Sequence, residues 1–160
     1  MGNPYNKYKQ TSVLSASREQ ILLMLYEAAI RFTKLAIQAA EQKKVAERGQ
    51  NIIRAFDIIM ELQATLDHKV GGELAQQLDS LYVYLMDQYT KANISGDPEP
   101  LKSCVQVLEN LYSGWKQAIE QLKKNNVQQP LPDFSGAAAL VKEYLRQKDR
   151  LAFSRHGGSQ

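Results

Sequence analysis

The sequence predicts an all-α protein: an antiparallel up-down four-helix bundle with an N-terminal extended arm and an additional C-terminal amphipathic helix after a Pro-containing linker. Two observations favour this fold. Apolar residues recur at helical spacing in four successive stretches of about twenty residues. Glycine and proline fall mostly at the chain ends and between these stretches, and connections of about four to eight residues favour antiparallel neighbours. A chain of 160 residues is long enough for one sizeable core.

The beginning of the first helix is marked by a capping pattern. Residues 1–16 contain Asn3-Pro4 and no periodic apolar stripe, so we expect an extended arm there. Ser17 and Gln20 have the capping-box spacing, in which a hydroxyl accepts from the open helix end and the Gln side chain reaches back. The first helix is therefore predicted to run from this cap to about Gln42.

The second helix is predicted to begin near Val45 and to end at Leu66-Asp67, because Gly71-Gly72 follows and glycine tolerates positive φ. The third helix is predicted from about Glu73 to Ala92.

Asp97-Pro98 marks the start of the fourth helix. The carboxylate suits an N-cap, and proline suits the first helical position, where no N–H is needed. This helix is predicted to continue to about Lys124.

The remainder of the chain has a different composition. Residues 125–136 include two prolines and read as a linker, since they cannot form a packed core. In the segment after it, one side of a helix would be apolar (Leu140, Val141, Tyr144, Leu145, Leu151) and the opposite side basic (Lys142, Arg146, Arg150). The predicted organisation is an arm at 1–16, a bundle at 17–124, a linker at 125–136, a C-terminal helix at 137–153 and a disordered tail at 154–160.

Composition excludes several classes of function. The formal net charge of +3 is spread along the chain without a basic run, so nucleic-acid binding is not expected. Cys104 is the one cysteine and is interpreted as a small core residue. No stretch has the length of a signal peptide or a membrane span, so a cytosolic location without membrane insertion is expected.

Catalytic and cofactor sites are not expected. The two histidines, His68 and His156, fall in a turn and in the tail, and no helix carries the Glu-x-x-His spacing of a metal site. Asp57 and Glu61 are spaced as a pair on one helix but belong to its polar strip. We therefore expect neither an enzyme nor a cofactor or metal.

The width of the apolar arcs points to a binding function. On the fourth helix the apolar residues span about 160°, whereas on the second they span about 240°, and the first is as wide. The third adds Tyr82, Met86 and Tyr89 beside its core line. One side of a bundle cannot cover such arcs, and a large open apolar surface is unusual on a monomer. Three covers are possible: segments of this chain, a second copy, or a foreign amphipathic helix.

Several blocks of residues resemble one family. The arm contains Asn3-Pro4-Tyr5-Asn6-Lys7-Tyr8, and the first helix contains Leu25-Tyr26-Glu27-Ala28-Ala29-Ile30, with Ala28 where the family usually has Gly. The second helix contains Asn51-Ile52-Ile53-Arg54-Ala55-Phe56-Asp57-Ile58-Ile59, and Gly71-Gly72-Glu73-Leu74 opens the third. Taken in order over residues 3–124, these blocks resemble FliS, the flagellin-specific export chaperones of bacterial flagella; residues after about 125 do not fit the family.

The resemblance implies a chaperone that holds the C-terminal segment of flagellin, prevents premature polymerisation and delivers the subunit to the flagellar export apparatus, including export gate components. Self-association into a dimer is a further possibility, and a helical adaptor for a different partner is the alternative function. The resemblance and the apolar arcs together predict the partner-binding residues: Tyr5 and Tyr8 as a displaceable cover, Ile52, Ile53, Phe56, Ile59, Met60, Leu78, Tyr82 and Met86 as the groove, and Asn51, Arg54 and Asp57 as polar partners of the client backbone. For the three polar residues, a solvated helix face is the alternative.

Two interpretations of residues 137–153 stay open. Their apolar stripe either docks on the client groove as a tethered mimic of the client or belongs to an appendage that faces solvent.

Overall fold

The computed structural model of the protein describes residues 17–125, and these residues form four α-helices and no strand. The helices are α1 (Arg18–Glu41), α2 (Val45–Ala64), α3 (His68–Ser95) and α4 (Glu99–Lys124). The all-helical fold that the apolar periodicity predicts is confirmed for this part of the chain. The predicted arm, linker, C-terminal helix and tail lie outside the described residues.

Each helix packs against two others, so that α1 and α3 lie diagonally across the bundle, as do α2 and α4. Side-chain pairs show the directions. Lys34 binds Glu109 near the middle of α1, and Lys102 lies 3.8 Å from Glu41 at its end, so α1 and α4 are antiparallel. The bonds from Gln63 to Asp79 and from Arg48 to Asn93 show the same for α2 and α3. Short connections complete an up-down bundle in sequence order.

Both ends of α1 follow from local side-chain and backbone chemistry. The capping box is present: Gln20 N–H donates to Ser17 Oγ, and Ser17 N–H donates to Gln20 Oε1. At the other end, the N–H groups of Lys43 and Lys44 donate back to Ala40 and Ala39. Lys43 has φ of 57°, the left-handed conformation that closes a helix in a Schellman motif. The sharp turn directs α2 back along α1.

The junction between α2 and α3 differs from the prediction. Helix α2 ends at Ala64 instead of Leu66-Asp67, because Asp67 caps the next segment: its carboxylate accepts from the N–H groups of Lys69 and Val70. One helical turn follows, and the chain then breaks at Gly72, where φ is 51° and ψ is −124°. Glycine at this position therefore separates two helical segments of α3. The prediction that Gly71-Gly72 ends the second helix is wrong.

The other two boundaries are closer to expectation. Helix α4 begins at Glu99, and Asp97 caps it by accepting from the Glu99 N–H at 2.9 Å. Helix α3 extends beyond the predicted Ala92 to Ser95 and is closed by Gly96, whose φ is 75°. These three further residues bring Ile94 onto the helical surface.

Two pairs of hydroxyl groups cross the middle of the apolar core. Tyr26 and Tyr82 share a hydrogen bond of 2.6 Å, and Thr33 and Tyr89 share one of 2.7 Å. The Thr33 proton is donated to the carbonyl of Ala29, so Tyr89 donates to Thr33. Trp115 Nε1 donates to Tyr26 from α4. Both pairs join the diagonal helices α1 and α3, and they are two helical turns apart along each helix.

Burial governs the ionisation of these groups. Loss of solvation raises the pKa of Tyr82 and Tyr89 far above its usual value and also raises the pKa of Tyr26. Cys104, the predicted small core residue, is fully buried, and burial raises the pKa of its thiol to about 12. All of these groups are therefore neutral at physiological pH.

The Thr33–Tyr89 bond provides a double-mutant test of the core. We expect Thr33→Val to lower the free energy of unfolding by about 1–3 kcal/mol, because it leaves a buried tyrosine hydroxyl without an acceptor. Tyr89→Phe should cost about 1 kcal/mol, and the double variant should be no less stable than Thr33→Val alone. Urea unfolding followed by circular dichroism at 222 nm measures all three. Simple additivity of the two single changes would contradict the assignment.

The raised tyrosine pKa values predict a loss of stability in alkali. Unfolded tyrosines ionise near pH 10 whereas the folded ones stay protonated, so stability is complete below pH 10 and falls as the pH rises above it. Each buried tyrosine contributes up to about 1.4 kcal/mol per pH unit in that range. Urea midpoints between pH 8 and 11 should show the decline, and Tyr82→Phe should reduce its slope. A midpoint that does not change with pH would contradict this account.

Candidate functional site

Exposed large apolar side chains of the described residues lie on α2 and α3 and on neither of the other helices. They are Val45, Ile53, Met60, Val70, Leu74, Val83, Tyr84 and Ile94. Helix α4 exposes none of them, in agreement with its narrow apolar arc. The prediction of surplus apolar surface on the first helix is wrong, because α1 exposes none either. Helix α1 packs against both α2 and α4, and its remaining large apolar residues are at least partly buried on the core.

Two facing stripes of exposed and partly buried residues lie on α2 and α3. On α2, Ile53, Phe56 and Met60 recur at the spacing of one helix face, and Val83, Met86, Thr90 and Ile94 do so on α3. We call these seven residues the α2–α3 groove. The antiparallel register given by the Gln63–Asp79 pair places Met60 level with Val83 and Ile53 level with Thr90.

The end of this groove that contains Ile53 and Ile94 is an open depression of about 250 Å³. Ile53 and Phe56 form one side of the depression, Thr90 and Ile94 the other, and the buried residues Ile52 and Tyr89 contribute to its floor. Ile53 is 56% exposed and Ile94 is 82% exposed, so both present apolar surface to solvent. The geometry suits an apolar side chain or a short helix laid between α2 and α3.

The residues that the sequence predicts for the groove differ in burial. Ile53 and Met60 are exposed, and Phe56 and Met86 are partly buried at the groove surface. The remaining four, Ile52, Ile59, Leu78 and Tyr82, are buried in the core. These four support the groove from below, and none can contact a partner directly while the bundle has this packing.

The predicted polar partners also divide. Asp57 is exposed and lies between Ile53 and Met60 on the outer side of their stripe. Arg54 instead lies toward α1, with its guanidinium carbon 5.7 Å from the centre of the Phe32 ring. Asn51 donates from Nδ2 to the Glu47 carbonyl, while its buried Oδ1 has no hydrogen-bond partner. Only Asp57 therefore borders the groove itself.

Three groove residues on α3 are absent from the sequence prediction: Val83, Thr90 and Ile94. The apolar pattern places Tyr82 and Tyr89 beside the core line of this helix, but both are buried, and the residues that follow them, Val83 and Thr90, are exposed instead. Ile94 falls beyond the predicted end of the helix at Ala92. The i, i+7, i+11 spacing of these residues is the signal that would have identified them.

A second depression, of about 490 Å³, lies between α1 and α4 and is more polar. Its lining includes Glu27 and Lys34, and these charges are paired: Tyr112 donates to Glu27 at 2.6 Å, and Lys34 binds Glu109 at 3.1 Å. The hydrogen bond to Glu27 raises the pKa of Tyr112 to about 12. Glu27 and Lys34 already have partners, and the depression has none of the exposed large apolar side chains, so this surface is a weaker candidate than the groove.

Residues 17–125 contain no group of three or more His, Cys, Asp or Glu side chains that could hold a metal ion. Within the same residues, no helix is both long and apolar enough to cross a membrane. The predicted cover residues Tyr5 and Tyr8 lie outside the described part of the chain.

Comparison with known proteins gives consistent matches. The family model described as "Flagellar protein FliS" matches residues 1–122. The flagellar secretion chaperone FliS of Bacillus subtilis (strain 168) is 34% identical over 123 residues, which are 77% of this chain and 91% of that protein. The protein of the same name from Vibrio cholerae is 33% identical over 114 residues, 71% of this chain and 84% of the relative. That of Salmonella typhimurium is 33% identical over 109 residues, 68% of this chain and 81% of the relative.

Proposed function

Since this chain belongs to the FliS family, we propose that it is a cytosolic flagellar export chaperone, without enzymatic activity, that binds the C-terminal segment of flagellin in the α2–α3 groove. Binding there would keep the segment from polymerising before export and would present the subunit to the export apparatus. The proposal rests on family membership for the class of client and on the groove for the place of binding.

The observation that carries the proposed site is the pair of exposed apolar stripes on adjacent helices. Scattered exposed apolar residues are ordinary, but aligned stripes on two neighbouring helices form a continuous surface. Ile53 and Met60 line one side, and Val83 and Ile94 line the other. A client helix with apolar residues at i, i+3, i+4 and i+7 would fit between them.

The chemistry of the groove suits a client that is unfolded before binding. Such a segment loses several kcal/mol when it becomes ordered, so its chaperone needs an apolar surface large enough to offset that cost. Burial of apolar area contributes about 25 cal/mol per Å². Exposed side chains of Ile and Met supply such area with few polar groups to desolvate.

Polar side chains near the groove would fix the position of the client. Asp57, on the groove rim, can accept from client N–H groups or pair with a basic client residue. Asn51 has a buried Oδ1 without a partner, and a client backbone N–H would satisfy it only after the Asn51 side chain turns toward the surface. Arg54 is already stacked on Phe32, so we assign it a packing role within the site.

The N-terminal arm completes the proposed site. Tyr5 and Tyr8 fall within the family match, and we propose that they cover part of the bundle surface until the client displaces them. Contacts with export gate components and dimer formation are further parts of the proposal, and the described residues identify no separate surface for either.

Calorimetry with a peptide of the flagellin C-terminal segment tests the client and the site together. We expect the double variant Ile53→Ser, Met60→Ser to bind at least about 10-fold more weakly than the unmodified chain, since each lost apolar contact removes about 1 kcal/mol. Both side chains are at least half exposed, so the urea midpoint should change little.

The matched control is Tyr84→Ser, which removes an exposed apolar residue of α3 outside the groove stripes. Its affinity for the peptide should equal that of the unmodified chain. Equal losses in the double variant and the control would place the client elsewhere on the bundle. No heat of binding for any of the three at tens of micromolar would favour the alternative function, a helical adaptor for a different partner.

A further inference from the structure

We propose that residues 137–153 of this chain dock as an amphipathic helix in the α2–α3 groove of the same molecule and occupy it in the absence of a partner. Docking itself does not depend on the identity of the client. Its consequence, competition with flagellin, rests on the function proposed above. The segment lies beyond residue 122, where the family match ends, so the device would be a property of this chain and not of the matched region.

The direction of α4 brings the start of the segment close to the groove. Helices α4 and α2 are parallel, so Lys124 lies at the same end of the bundle as Ala64, the last residue of α2. Neighbouring helix axes are about 8–10 Å apart, which places the groove within about 20 Å of that end. The linker 125–136 has twelve residues and spans up to about 40 Å when extended. The tether therefore reaches the groove from either end.

The lengths of the segment and the groove also match. From Val83 to Ile94 the groove is about 16 Å long at 1.5 Å per residue. As a helix, residues 137–153 would be about 25 Å long, with the apolar side chains of Leu140, Val141, Tyr144 and Leu145 within the first three turns. One docked helix would cover the exposed residues of both stripes.

Charge favours this occupant. The segment carries four basic and two acidic side chains, and one of the basic residues, Lys148, falls within its apolar stripe. A lysine in that position can dock only if its stem lies along apolar surface while the ammonium group reaches an anion. The groove provides an exposed carboxylate on α2, Asp57, beside Ile53 and Met60. The carboxylate on the α3 side, Asp87, is already paired with Lys91 at 3.1 Å.

Tethering makes even a weak contact effective. A short flexible linker gives an effective concentration of about 1 mM, so a contact with an intrinsic dissociation constant of about 100 μM would be closed in about nine molecules out of ten. A competing client would then bind about 10-fold more weakly than to an open groove. The segment would select clients that bind strongly enough to displace it.

Thiol labelling of the full-length chain tests docking without any client. Cysteine placed by Thr90→Cys lies in the groove, and cysteine placed by Ser80→Cys lies on an exposed position of α3 outside the groove stripes. Cys104 is buried with a pKa raised to about 12, so it contributes only a slow background. We expect the thiol at position 90 to react at least about 5-fold more slowly than the thiol at position 80.

Substitutions in the segment provide the decisive comparison. Val141→Asp with Leu145→Asp, on the apolar stripe, should restore fast labelling at position 90. Ala139→Asp with Arg146→Gln lowers the net charge by the same two units on the opposite side of the helix and should leave the slow rate unchanged. Labelling at position 80 should be the same in all variants. Equal rates at position 90 for the unmodified segment and the stripe variant would overturn the proposal.

Two other results would assign the groove to another occupant and would equally overturn the proposal. Protection that increases with protein concentration would indicate a second copy of the chain. Protection that is lost with Tyr5→Ala and Tyr8→Ala but kept in the stripe variant would indicate the N-terminal arm.

Calorimetry then measures the consequence for the client. The stripe variant should bind the flagellin peptide about 10-fold more tightly than the unmodified chain. If labelling shows docking but the peptide binds neither protein, the docking of residues 137–153 is supported and flagellin is excluded as the client.

Discussion

The hydrogen bonds of four buried hydroxyl groups fix how the helices face one another. Tyr26 pairs with Tyr82, and Thr33 pairs with Tyr89, so α1 and α3 are joined across the bundle at two points that are seven residues apart on each helix. A slide of α3 along α1 by one residue would separate both pairs at once and leave buried donors without acceptors. Apolar packing alone would penalise such a slide much less, since many apolar side chains can replace one another.

The same bonds determine where the groove lies. An α-helix turns about 100° per residue, so a side chain that follows an inward-facing residue points to the flank. Val83 follows Tyr82, and Thr90 follows Tyr89. With both tyrosines held toward α1, their successors lie on the flank nearest α2, opposite Met60 and Ile53. The buried polar contacts are therefore the reason why the exposed apolar stripes face each other and form one surface.

Much of the fold could be predicted from the sequence because its signals are local. The Ser17–Gln20 box and the Asp97-Pro98 start depend on neighbouring residues and identify helix ends without knowledge of the tertiary structure. The groove depends on which helix covers which face, and an apolar arc does not contain that information. Ile52 and Ile53 are equally apolar, yet packing buries the first and exposes the second. Four of the seven groove residues, Ile53, Phe56, Met60 and Met86, are in the sequence prediction, and the other three are not.

Because apolar residues lie on most sides of α2 and α3, these helices could pack into the bundle in more than one orientation. Rotation of α3 by about 100° would bring Val83 into the core and turn Tyr82 outward, and an apolar core would accept the exchange at little cost. Such a rotated bundle would hide the groove. The hydroxyl pairs oppose the rotation because a valine at that position cannot satisfy the partner oxygen of Tyr26. A buried polar contact can thus specify one packing among several of similar apolar content, as a single buried polar residue does in coiled coils. The exposed apolar stripe of α3 therefore depends on the buried tyrosines. Helix α3 can present apolar surface to a partner only because the buried hydrogen bonds, and not apolar packing alone, fix its orientation.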